Sequence, residues 1–281
     1  MADTDIETQK IEIDLLIEAL YRKYGYDFRN YSQAHVRRRI LHRFAMSGLE
    51  SISEMQHKVL TSKAFLSQLL HDLSINVTEM FRDPHFFLAV REKVVPLLQT
   101  YPFIKIWHAG CSTGEEIYSM AILLKEEGLL SRSQIYATDI NATVLEKAKS
   151  GIVPINSVKQ YTANYQKAGG TCSFADYYNA RYDSAKLDKS LREKIVFADH
   201  NLVTDGVFGE MNMIVCRNVM IYFNKNLQER VYKLFLESLC HGGFLCIGTK
   251  ENIQFSKYAD SFEIVAKKDR IYKKKYPNSE T

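Results

Sequence analysis

The sequence predicts an α/β fold: a doubly wound, mostly parallel sheet preceded by an all-helical domain. Residues 10–92 show helical periodicity and almost no strand signal, whereas short runs rich in Ile, Val, Phe and Tyr alternate with helical segments after Pro102. Buried runs that alternate with helices are typical of a parallel sheet covered on both faces. The length of 281 residues suits one large domain and one small one.

The amino-terminal part carries clear helix-boundary signals. The segment IEIDLLIEALYRKYG ends at Gly25, a residue that commonly terminates helices. Ser51 with Glu54 three residues later predicts a capping box at the start of another helix. We therefore place a helical domain at residues 1–85 and an α/β domain at residues 86–281.

Five apolar runs in the second domain have the length of strands. They are FIKIWHAG, QIYATDI, KIVFADHN, MNMIVCRN and GGFLCIG, and the tail FEIVAKKDRIYKKKY predicts one or two closing edge strands. Helical segments lie between them at Glu115–Glu127, Ala142–Lys149 and Lys225–Cys240. The polar and aromatic interval before Lys194 is too long to be structureless. We predict that it forms a small inserted antiparallel β subdomain, with a helix, at about residues 155–192.

Composition and charge exclude several classes of protein. No apolar run approaches the ~18 residues that a membrane-spanning helix needs, and the acidic, amphipathic amino terminus is not a secretory signal. Five cysteines without a CxxC pair indicate buried thiols in a reducing cytoplasm, which disfavours a disulfide framework or a metal site. The net charge of +4 is too small to imply a nucleic-acid partner by itself.

The stretch HAGCSTGEEIYS follows an apolar run and begins a predicted helix, where doubly wound folds bind their ligands. Glu115 and Glu116 would repel a pyrophosphate from the positive end of that helix. They favour a cofactor that has an ammonium and a sulfonium but no phosphate, and S-adenosylmethionine carries both charges and an adenosine. The alternative is a capping box, formed by Ser112 with Glu115 or by Thr113 with Glu116.

Two further positions suit such a cofactor. Asp139 ends the second predicted strand about 25 residues after the loop, where an acidic residue typically binds the ribose hydroxyls. The alternative is that Asp139 or Asn141 only caps the next helix. In the segment INVTEMFRDPHFF, the forked guanidinium of Arg82 matches a cofactor carboxylate, although a surface charge is the simpler interpretation.

Five motifs, in this order along the chain, resemble the chemotaxis receptor methyltransferase family (CheR). They are INVTEMFR, AGCSTGEEIYS, ATDINATVLEKAKSGI, FADHNL and CRNVMIYF, and they cover residues from about 75 to 250. The amino-terminal helices are similar to the helical domain of that family. The resemblance implies a cytoplasmic protein-glutamate O-methyltransferase of the class I S-adenosylmethionine type, which methylates chemoreceptor glutamates without a metal and releases S-adenosylhomocysteine.

The resemblance also implies roles for individual residues. Cofactor contacts are expected at Asn76, Thr78, Arg82, Glu116, Asp139, Asn201, Leu202, Arg217 and Asn218. Arg82 is also expected to act in catalysis together with Tyr222, which would face the reacting centre. The chain departs from the family at Met80, where an aromatic residue is usual, and at Gly248–Glu251, which reads GTKE instead of Gly-His-Ser-Glu. We attribute the first departure to packing, whereas the second affects the rim of the active site.

The basic segment HVRRRILHRF has two interpretations. Its arginines, Arg37, Arg38, Arg39 and Arg43, could dock acidic cytoplasmic helices of a chemoreceptor. The alternative is a solvated basic face above Ile40, Leu41 and Phe44. The inserted subdomain could bind a receptor tail as an added edge strand.

Two rival functions remain open from the sequence. One is a methyltransferase that acts on RNA or a small molecule, although no aromatic–basic pattern of RNA binding accompanies the basic segment. The other is a non-catalytic adaptor that binds the cofactor, which the full set of expected site residues disfavours. We expect a monomer without nucleic-acid partners and without membrane insertion.

Overall fold

The computed structural model describes residues 2–74 and 78–277, without the side chains of residues 2–5. The chain forms two compact units. The helical unit comprises Met1–Asn76 and Tyr222–Gln228, and the α/β unit comprises Val77–Ile221 and Glu229–Thr281. The segment that carries Arg82 therefore belongs to the α/β unit.

The first helices of the chain form the helical unit. They are α1 (Ala2–Tyr24), α2 (Gln33–Ser47), α3 (Ile52–Thr61) and α4 (Lys63–Leu73). Gly25 follows α1 with φ 77°, as predicted. The hydroxyl of Ser51 accepts the N–H of Glu54 at 3.1 Å, whereas the Glu54 carboxylate accepts the N–H of Glu50 at 3.0 Å. The predicted cap therefore forms, but its return bond reaches one residue further back.

Apolar faces of these helices build a core of their own. Helix α1 packs on α3, and α4 packs on both α2 and α3. The fully buried side chains at the centre are Leu16, Leu20, Ile40, Met55, Val59 and Leu69. Removing such side chains from water is the main term that stabilises a small helical unit.

The strands of the α/β unit form two sheets. They are β1 (Ile104–Ala109), β2 (Ser133–Asp139), β3 (Ile152–Pro154), β4 (Tyr178–Arg181), β5 (Ser184–Leu187), β6 (Ile195–Asp199), β7 (Met211–Cys216), β8 (Leu239–Ile247), β9 (Phe262–Ala266) and β10 (Ile271–Lys274). The main sheet has seven strands in the order β6-β2-β1-β7-β8-β10-β9. Pairing is parallel from β6 to β8 and antiparallel on both sides of β10. The predicted mostly parallel, doubly wound sheet is confirmed.

Strand β1 is the switch point of the main sheet. The chain proceeds from β1 through β2 to β6 at one edge, and then returns to the other side of β1 with β7. Loops that leave the carboxyl ends of β1 and β7 therefore diverge and leave a crevice between them. This crevice is where a ligand of the unit is expected.

The remaining helices are α5 (Pro84–Ala89), α6 (Val95–Leu98), α7 (Glu115–Glu126), α8 (Ala142–Ser150), α9 (Val158–Lys167), α10 (Lys189–Arg192) and α11 (Lys225–Ser238). A π-helical turn, Val90–Val94, interrupts the segment that begins at Pro84. Helix α11 ends two residues before the predicted Cys240, because Leu239 already belongs to β8. Helix α7 is buried along most of its length, which explains its apolar sequence.

The inserted subdomain contains α9 and a three-stranded antiparallel sheet in the order β3-β5-β4. A buried carboxylate, Glu126, holds it to the rest of the α/β unit. Glu126 accepts hydrogen bonds from Arg91, from the hydroxyls of Tyr165 and Tyr177, and from the N–H of Thr171. Because four donors converge on one carboxylate, the position of the subdomain depends strongly on this residue.

Three further findings concern the described part of the chain. No helix within it combines the length and the apolar character that crossing a membrane requires. Nor does it contain three or more His, Cys, Asp or Glu side chains grouped so that they could hold a metal ion. The five cysteines are free thiols, of which Cys111, Cys216 and Cys246 are buried.

Candidate active site

The loop between β1 and α7 approaches its neighbours closely. Gly110 and Gly114 have φ values of 79° and 97°, a region that favours glycine. A Cβ atom on Gly110 would lie 2.5 Å from Cγ2 of Val219, and one on Gly114 would lie 3.0 Å from Cβ of Ala148. The two glycines are therefore required by local geometry and not only by a ligand.

Asp139 connects this loop to the end of β2. One carboxylate oxygen accepts the N–H of Ser112 at 2.9 Å, and the other accepts the N–H of Asn141 at 3.0 Å. Asn141 itself caps α8 by accepting the N–H of Thr143 at 3.0 Å, so Asp139 is not the cap. Burial raises the pKa of Asp139, and the backbone donors oppose that rise. Each oxygen can still accept a further hydrogen bond.

The two glutamates after Gly114 have different surroundings. Gly114 is the residue before α7, and no side chain caps the helix, so neither alternative capping box forms. The hydroxyl of Thr113 donates to Glu115 at 2.6 Å, and burial raises the pKa of Glu115. Glu115 is therefore a buried group at the first position of α7, bonded to the adjacent loop. Glu116 is the carboxylate that contacts residues distant in the sequence.

Glu116 lies between two donors. His108 Nδ1 is 3.2 Å from Oε1, and Arg217 Nη1 donates to Oε2 at 2.9 Å. Burial by itself would raise the pKa of Glu116, but His108 and Arg217 outweigh that effect and hold the pKa below its usual range. Glu116 is therefore ionised at neutral pH.

Arg217 also fixes the turn around Arg82. Its Nη1 donates to the carbonyl oxygen of Arg82 at 3.3 Å, and its Nη2 donates to the carboxylate of Asp83 at 2.6 Å. The guanidinium lies 4.1 Å from the ring centroid of Phe86. Phe81 and Asp83, on either side of Arg82, have φ values of 51° and 55°. Left-handed conformations of such residues cost about 1–3 kcal/mol each and persist only where neighbours hold them.

Two further hydrogen bonds hold the same turn. Asn164 of α9 donates from its side-chain amide to the carbonyl oxygen of Met80 at 3.1 Å, and Ser119 of α7 accepts the N–H of Phe81 at 2.8 Å. Met80 is fully buried and packs in the core of the α/β unit. Thr78, earlier in this segment, is half-buried. Asn76 lies outside the described residues.

The loop after β7 is organised by a second buried carboxylate. Glu251 accepts the backbone N–H groups of Asn218–Ile221 at distances between 2.8 and 3.3 Å, and that of Gly248 as well. Burial raises the pKa of Glu251, and these backbone donors oppose the rise. Asn218 has a φ of 61°. In the GTKE sequence, which differs from that of the family, Thr249 and Lys250 are exposed. Glu251, the carboxylate that orders the loop, is the last residue of this sequence.

The loop after β6 carries the two residues expected beside an adenine. Asn201 accepts the N–H of Val203 at 2.9 Å on its side chain and donates its own N–H to Asp205 at 2.8 Å. Leu202 is buried. The Asn201 side chain therefore shapes a turn, and any contact with a ligand comes in addition.

Tyr222 belongs to the helical unit. Its carbonyl oxygen accepts the N–H of Ser32 at 2.7 Å, and its ring meets that of His35 edge-on with centroids 5.2 Å apart. Helix α2, which bears the arginines, is thus in direct contact with Tyr222.

The four arginines of α2 differ in exposure. Arg38 is exposed, with Nη2 3.3 Å from His35 Nδ1, whereas Arg37 is half-buried and donates to Gln9 at 3.0 Å. Arg39 is half-buried. Arg43 forms an ion pair with Asp72 of α4, and its side chain is only 16% exposed. Among the four, Arg38 is the most accessible to a partner.

Some residues of this region were missed by the sequence reasoning. His108 was the easiest of them to predict, because a histidine inside an otherwise apolar strand is a recognisable sequence signal. Asp83, Ser119 and Asn164 had no comparable signal, since their roles arise from contacts across 38 to 134 positions of the chain.

A doubly wound sheet with an acidic first loop and a buried aspartate at the end of its second strand defines a class of protein that binds an adenosine cofactor without phosphate. Residues 76–271 match the family model described as CheR methyltransferase, SAM binding domain. Residues 11–74 match the model described as CheR methyltransferase, all-alpha domain. The chain belongs to the CheR methyltransferase family.

Relatives with similar sequences extend over most of the chain. A Pseudomonas putida protein named "Putative methyltransferase Cher3" is 57% identical over 264 residues, which are 94% of this chain and 97% of the relative. A "Chemotaxis protein methyltransferase" of Listeria monocytogenes is 28% identical and covers 83% of this chain and 86% of its own. "Chemotaxis protein methyltransferase 2" of Pseudomonas aeruginosa is 30% identical, with 84% of each chain covered.

The α/β unit is therefore a methyltransferase domain whose cofactor is S-adenosylmethionine, and the residues present fit that molecule. Ser112 Oγ, in the loop after β1, is buried and has no partner within residues 2–74 and 78–277, so it can serve a ligand. Asp139 has unused acceptor capacity, and the ionised Glu116 retains 17% exposure of its side chain. A polar, acidic loop of this kind suits a cationic cofactor better than a phosphate.

Proposed function

We propose that this chain transfers the methyl group of S-adenosylmethionine to glutamate side chains of chemoreceptors, forming methyl esters in the cytoplasm during chemotactic adaptation. The observation that carries the proposal is the match of both parts of the chain to the CheR models. Relatives named chemotaxis protein methyltransferases support the same function.

The chemistry requires little proton transfer. The cofactor supplies an electrophilic methyl group on a sulfonium. The attacking glutamate is already ionised at neutral pH, since its ordinary pKa is about 4.3, so a strong general base is unnecessary. Catalysis then depends mainly on alignment of the reacting atoms, which is worth roughly 7–11 kcal/mol in well-oriented systems.

We assign the alignment to residues of the α/β unit. Arg82 would hold the carboxylate of the cofactor, and its flanking backbone is fixed by Arg217, Ser119 and Asn164. Such a fixed turn limits the positions that the guanidinium can take, which supports a role in aiming the methyl group. Thr78 would contribute a hydrogen bond near the methionine end.

The other end of the cofactor would be held by the remaining expected residues. Asp139 would accept the ribose hydroxyls, and Asn201 and Leu202 would flank the adenine. Asn218 would close the site, in a loop that Glu251 keeps rigid. Glu116 would face the amino group, since two opposite charges attract most strongly in a site that contains little water.

Tyr222 would orient the substrate at the reacting centre. Its contacts with Ser32 and His35 restrict its movement, which supports a positioning role. It has no need to transfer a proton, because the substrate carboxylate is already ionised. Charge is lost as the methyl group is transferred, so exclusion of water by apolar neighbours would also help.

We propose that the arginines of α2 dock acidic receptor helices, and that a receptor tail adds to the inserted sheet. Arg38 is the exposed member of the set, and Arg43 contributes less because Asp72 neutralises it. In the inserted subdomain, β4 is an edge strand with three exposed residues, which supports strand addition. We propose that the protein acts as a monomer.

The function is tested by incubating the purified protein with methyl-labelled S-adenosylmethionine and membranes that contain chemoreceptors from the same organism. Expected is label on the receptors that mild base releases as methanol, as for a glutamate methyl ester. A receptor whose candidate glutamates are replaced by alanine is the matched control and should stay unlabelled. Base-stable label, or label on RNA or a small molecule instead, would contradict the proposal.

A further inference from the structure

His108 is a polar residue in the centre of the main sheet. It lies in β1 with an exposed fraction of 1%, between Trp107 and Ala109, which are also buried. Its Nδ1 atom is 3.2 Å from Oε1 of Glu116, while Arg217 binds the other oxygen at 2.9 Å. The two donors thus hold both oxygens of one carboxylate.

The hydrogen bond determines the tautomer of His108. An ionised carboxylate only accepts hydrogen bonds, so Nδ1 must carry the proton. Nε2 is buried and has no partner within residues 2–74 and 78–277. In an imidazolium this atom would be an N–H group without an acceptor in a buried site, which is unfavourable. The hydrogen bond to Glu116 therefore places a proton on Nδ1 of His108.

Arg217 lies between two carboxylates, those of Glu116 and Asp83. Arg217 is positive and both carboxylates are negative, so these three side chains together carry one net negative charge. The thiols of Cys111, Cys216 and Cys246 interact electrostatically with Glu116, and burial raises their pKa values, so they stay neutral. Burial also raises the pKa of the neighbouring Glu115.

We propose that His108 is a positioning residue of the cofactor site: its Nδ1–H keeps the Glu116 carboxylate ionised and oriented toward the amino group of S-adenosylmethionine. The proposal rests on the role of Glu116 in the proposed function. The partly exposed Glu116 side chain leaves room for such a contact.

Arg217 alone would not be sufficient for this role. It is shared with Asp83 and with the carbonyl oxygen of Arg82, and it contacts only one oxygen of Glu116. Without the second donor, the carboxylate could rotate about its last side-chain bond, and burial would favour its protonated form. A protonated Glu116 attracts an ammonium group much less than an ionised one.

Three variants separate these effects. His108→Asn keeps an N–H donor at the δ position, His108→Leu removes the donor at similar volume, and Glu116→Gln removes the charge. Affinities for S-adenosylmethionine and S-adenosylhomocysteine are measured by calorimetry between pH 5.5 and 8. Expected is binding about tenfold weaker in His108→Leu than in wild type, because Glu116 loses the hydrogen bond that orients it. The loss should be largest at the lowest pH, because the pKa of Glu116 rises when this donor is removed. Wild type and His108→Asn should share one pH profile, in which only the α-amino group of the ligand, with a pKa of about 8, titrates.

A spectroscopic measurement tests the tautomer without any ligand. Nitrogen-15 NMR of the unliganded wild type should show one histidine protonated on Nδ1 only, absent from the His108→Asn spectrum. The control is His241→Asn, which removes an exposed histidine and should bind the cofactor like wild type. Protonation of His108 on Nε2 would overturn the proposal, even if His108→Leu failed to fold.

The binding data distinguish two kinds of failure. If Glu116→Gln bound S-adenosylmethionine as tightly as wild type, the proposed role of Glu116 would be wrong and the role of His108 would fall with it. If Glu116→Gln bound weakly while His108→Leu kept wild-type affinity and the wild-type pH profile, only the role of His108 would be overturned. Neither result depends on which substrate is methylated, so glutamate methylation is tested separately.

Discussion

Arg217 donates to the carboxylate of Asp83 at 2.6 Å, and the same guanidinium reaches the carbonyl oxygen of Arg82 at 3.3 Å. One side chain from the loop after β7 therefore determines the backbone of the turn before α5. Since φ at Phe81 and Asp83 is positive, this turn would relax without such support. The orientation of Arg82 is thus determined by residues far away in the sequence.

Arg82→Lys should lower turnover more than it weakens cofactor binding. Lysine keeps the charge but loses the planar, two-point geometry that would aim the cofactor carboxylate. Arg82→Ala should abolish turnover almost entirely while circular dichroism and the melting temperature stay near wild type. Single-turnover methylation and calorimetry measure the two effects separately.

The control for this series is Arg22→Ala, which removes an arginine that is 77% exposed on α1 and should change neither quantity. Normal turnover in Arg82→Ala would show that Arg82 is only a surface charge. An unfolded Arg82→Ala protein would make it a structural residue instead.

Asp139→Ala should weaken binding of S-adenosylmethionine and of S-adenosylhomocysteine by about 1.5–3 kcal/mol, the usual contribution of hydrogen bonds to a charged group. Part of this loss has a second origin, because the variant also frees the N–H groups of Ser112 and Asn141. A 2′-deoxy analogue of S-adenosylhomocysteine isolates the ribose contact in a double-mutant cycle.

In that cycle, the wild type should bind the deoxy analogue more weakly than S-adenosylhomocysteine, and Asp139→Ala should bind both alike. The exposed Asp176→Ala serves as the control and should behave like wild type. If loss of the 2′-hydroxyl weakened binding equally in wild type and in Asp139→Ala, Asp139 would not be the group that binds the ribose.

Combined replacement of Arg37, Arg38 and Arg39 by alanine should slow receptor methylation at least several-fold and leave cofactor affinity unchanged. Exposed charges of α2 would steer an acidic partner, so the wild-type rate should also fall with added salt. Rates measured at several ionic strengths check both expectations.

A charge-matched control removes Lys147, Lys149 and Lys233, which are exposed and lie outside α2. It should retain the wild-type rate. If the arginine variant methylated receptors normally, the basic face of α2 would only be solvated.

Glu126→Gln should destabilise the protein by about 1.5–3 kcal/mol at neutral pH, the usual contribution of hydrogen bonds to a charged group. The variant removes one of the two carboxylates that pair with the buried Arg91, and Glu127 remains as the other. Burial raises the pKa of Glu126, but Tyr165, Arg91 and Thr171 outweigh it and hold the pKa below the ordinary carboxyl value of 4.5. Because folding lowers the pKa of Glu126, its ionised form stabilises the folded protein at pH values above 4.5. This stability is lost as the pH falls through the pKa of Glu126 in the folded state.

Urea unfolding between pH 3.5 and 7 measures this dependence. The difference in unfolding free energy between wild type and Glu126→Gln should be largest near neutrality and should shrink on acidification. Glu146→Gln, at a surface position that is 71% exposed, is the control and should differ little from wild type at any pH. A difference that stays constant with pH would show that packing, and not charge, is responsible.

Much of the architecture could be predicted because it depends on local patterns. The end of α1 at Gly25 and the buried runs that became β1, β2, β6, β7 and β8 are determined by backbone preference and by apolar periodicity. The hydrogen-bond partners of Glu115 and Glu116 could not be predicted in this way. Both follow Gly114, yet one is bonded to its neighbour Thr113 and the other pairs with Arg217, 101 positions away.

By itself, then, the sequence determined the fold class, the place of the cofactor loop and the family, because helices, strands and short motifs are encoded by residues close together in the chain. Only the tertiary structure decided which charges are paired, which carboxylates are buried, and how the turn around Arg82 is held. His108 and Arg217 meet at Glu116 because β1 and β7 are neighbours in the sheet, although half of the α/β unit separates them in sequence. Contacts of this kind depend on strand order and burial, which no local pattern encodes.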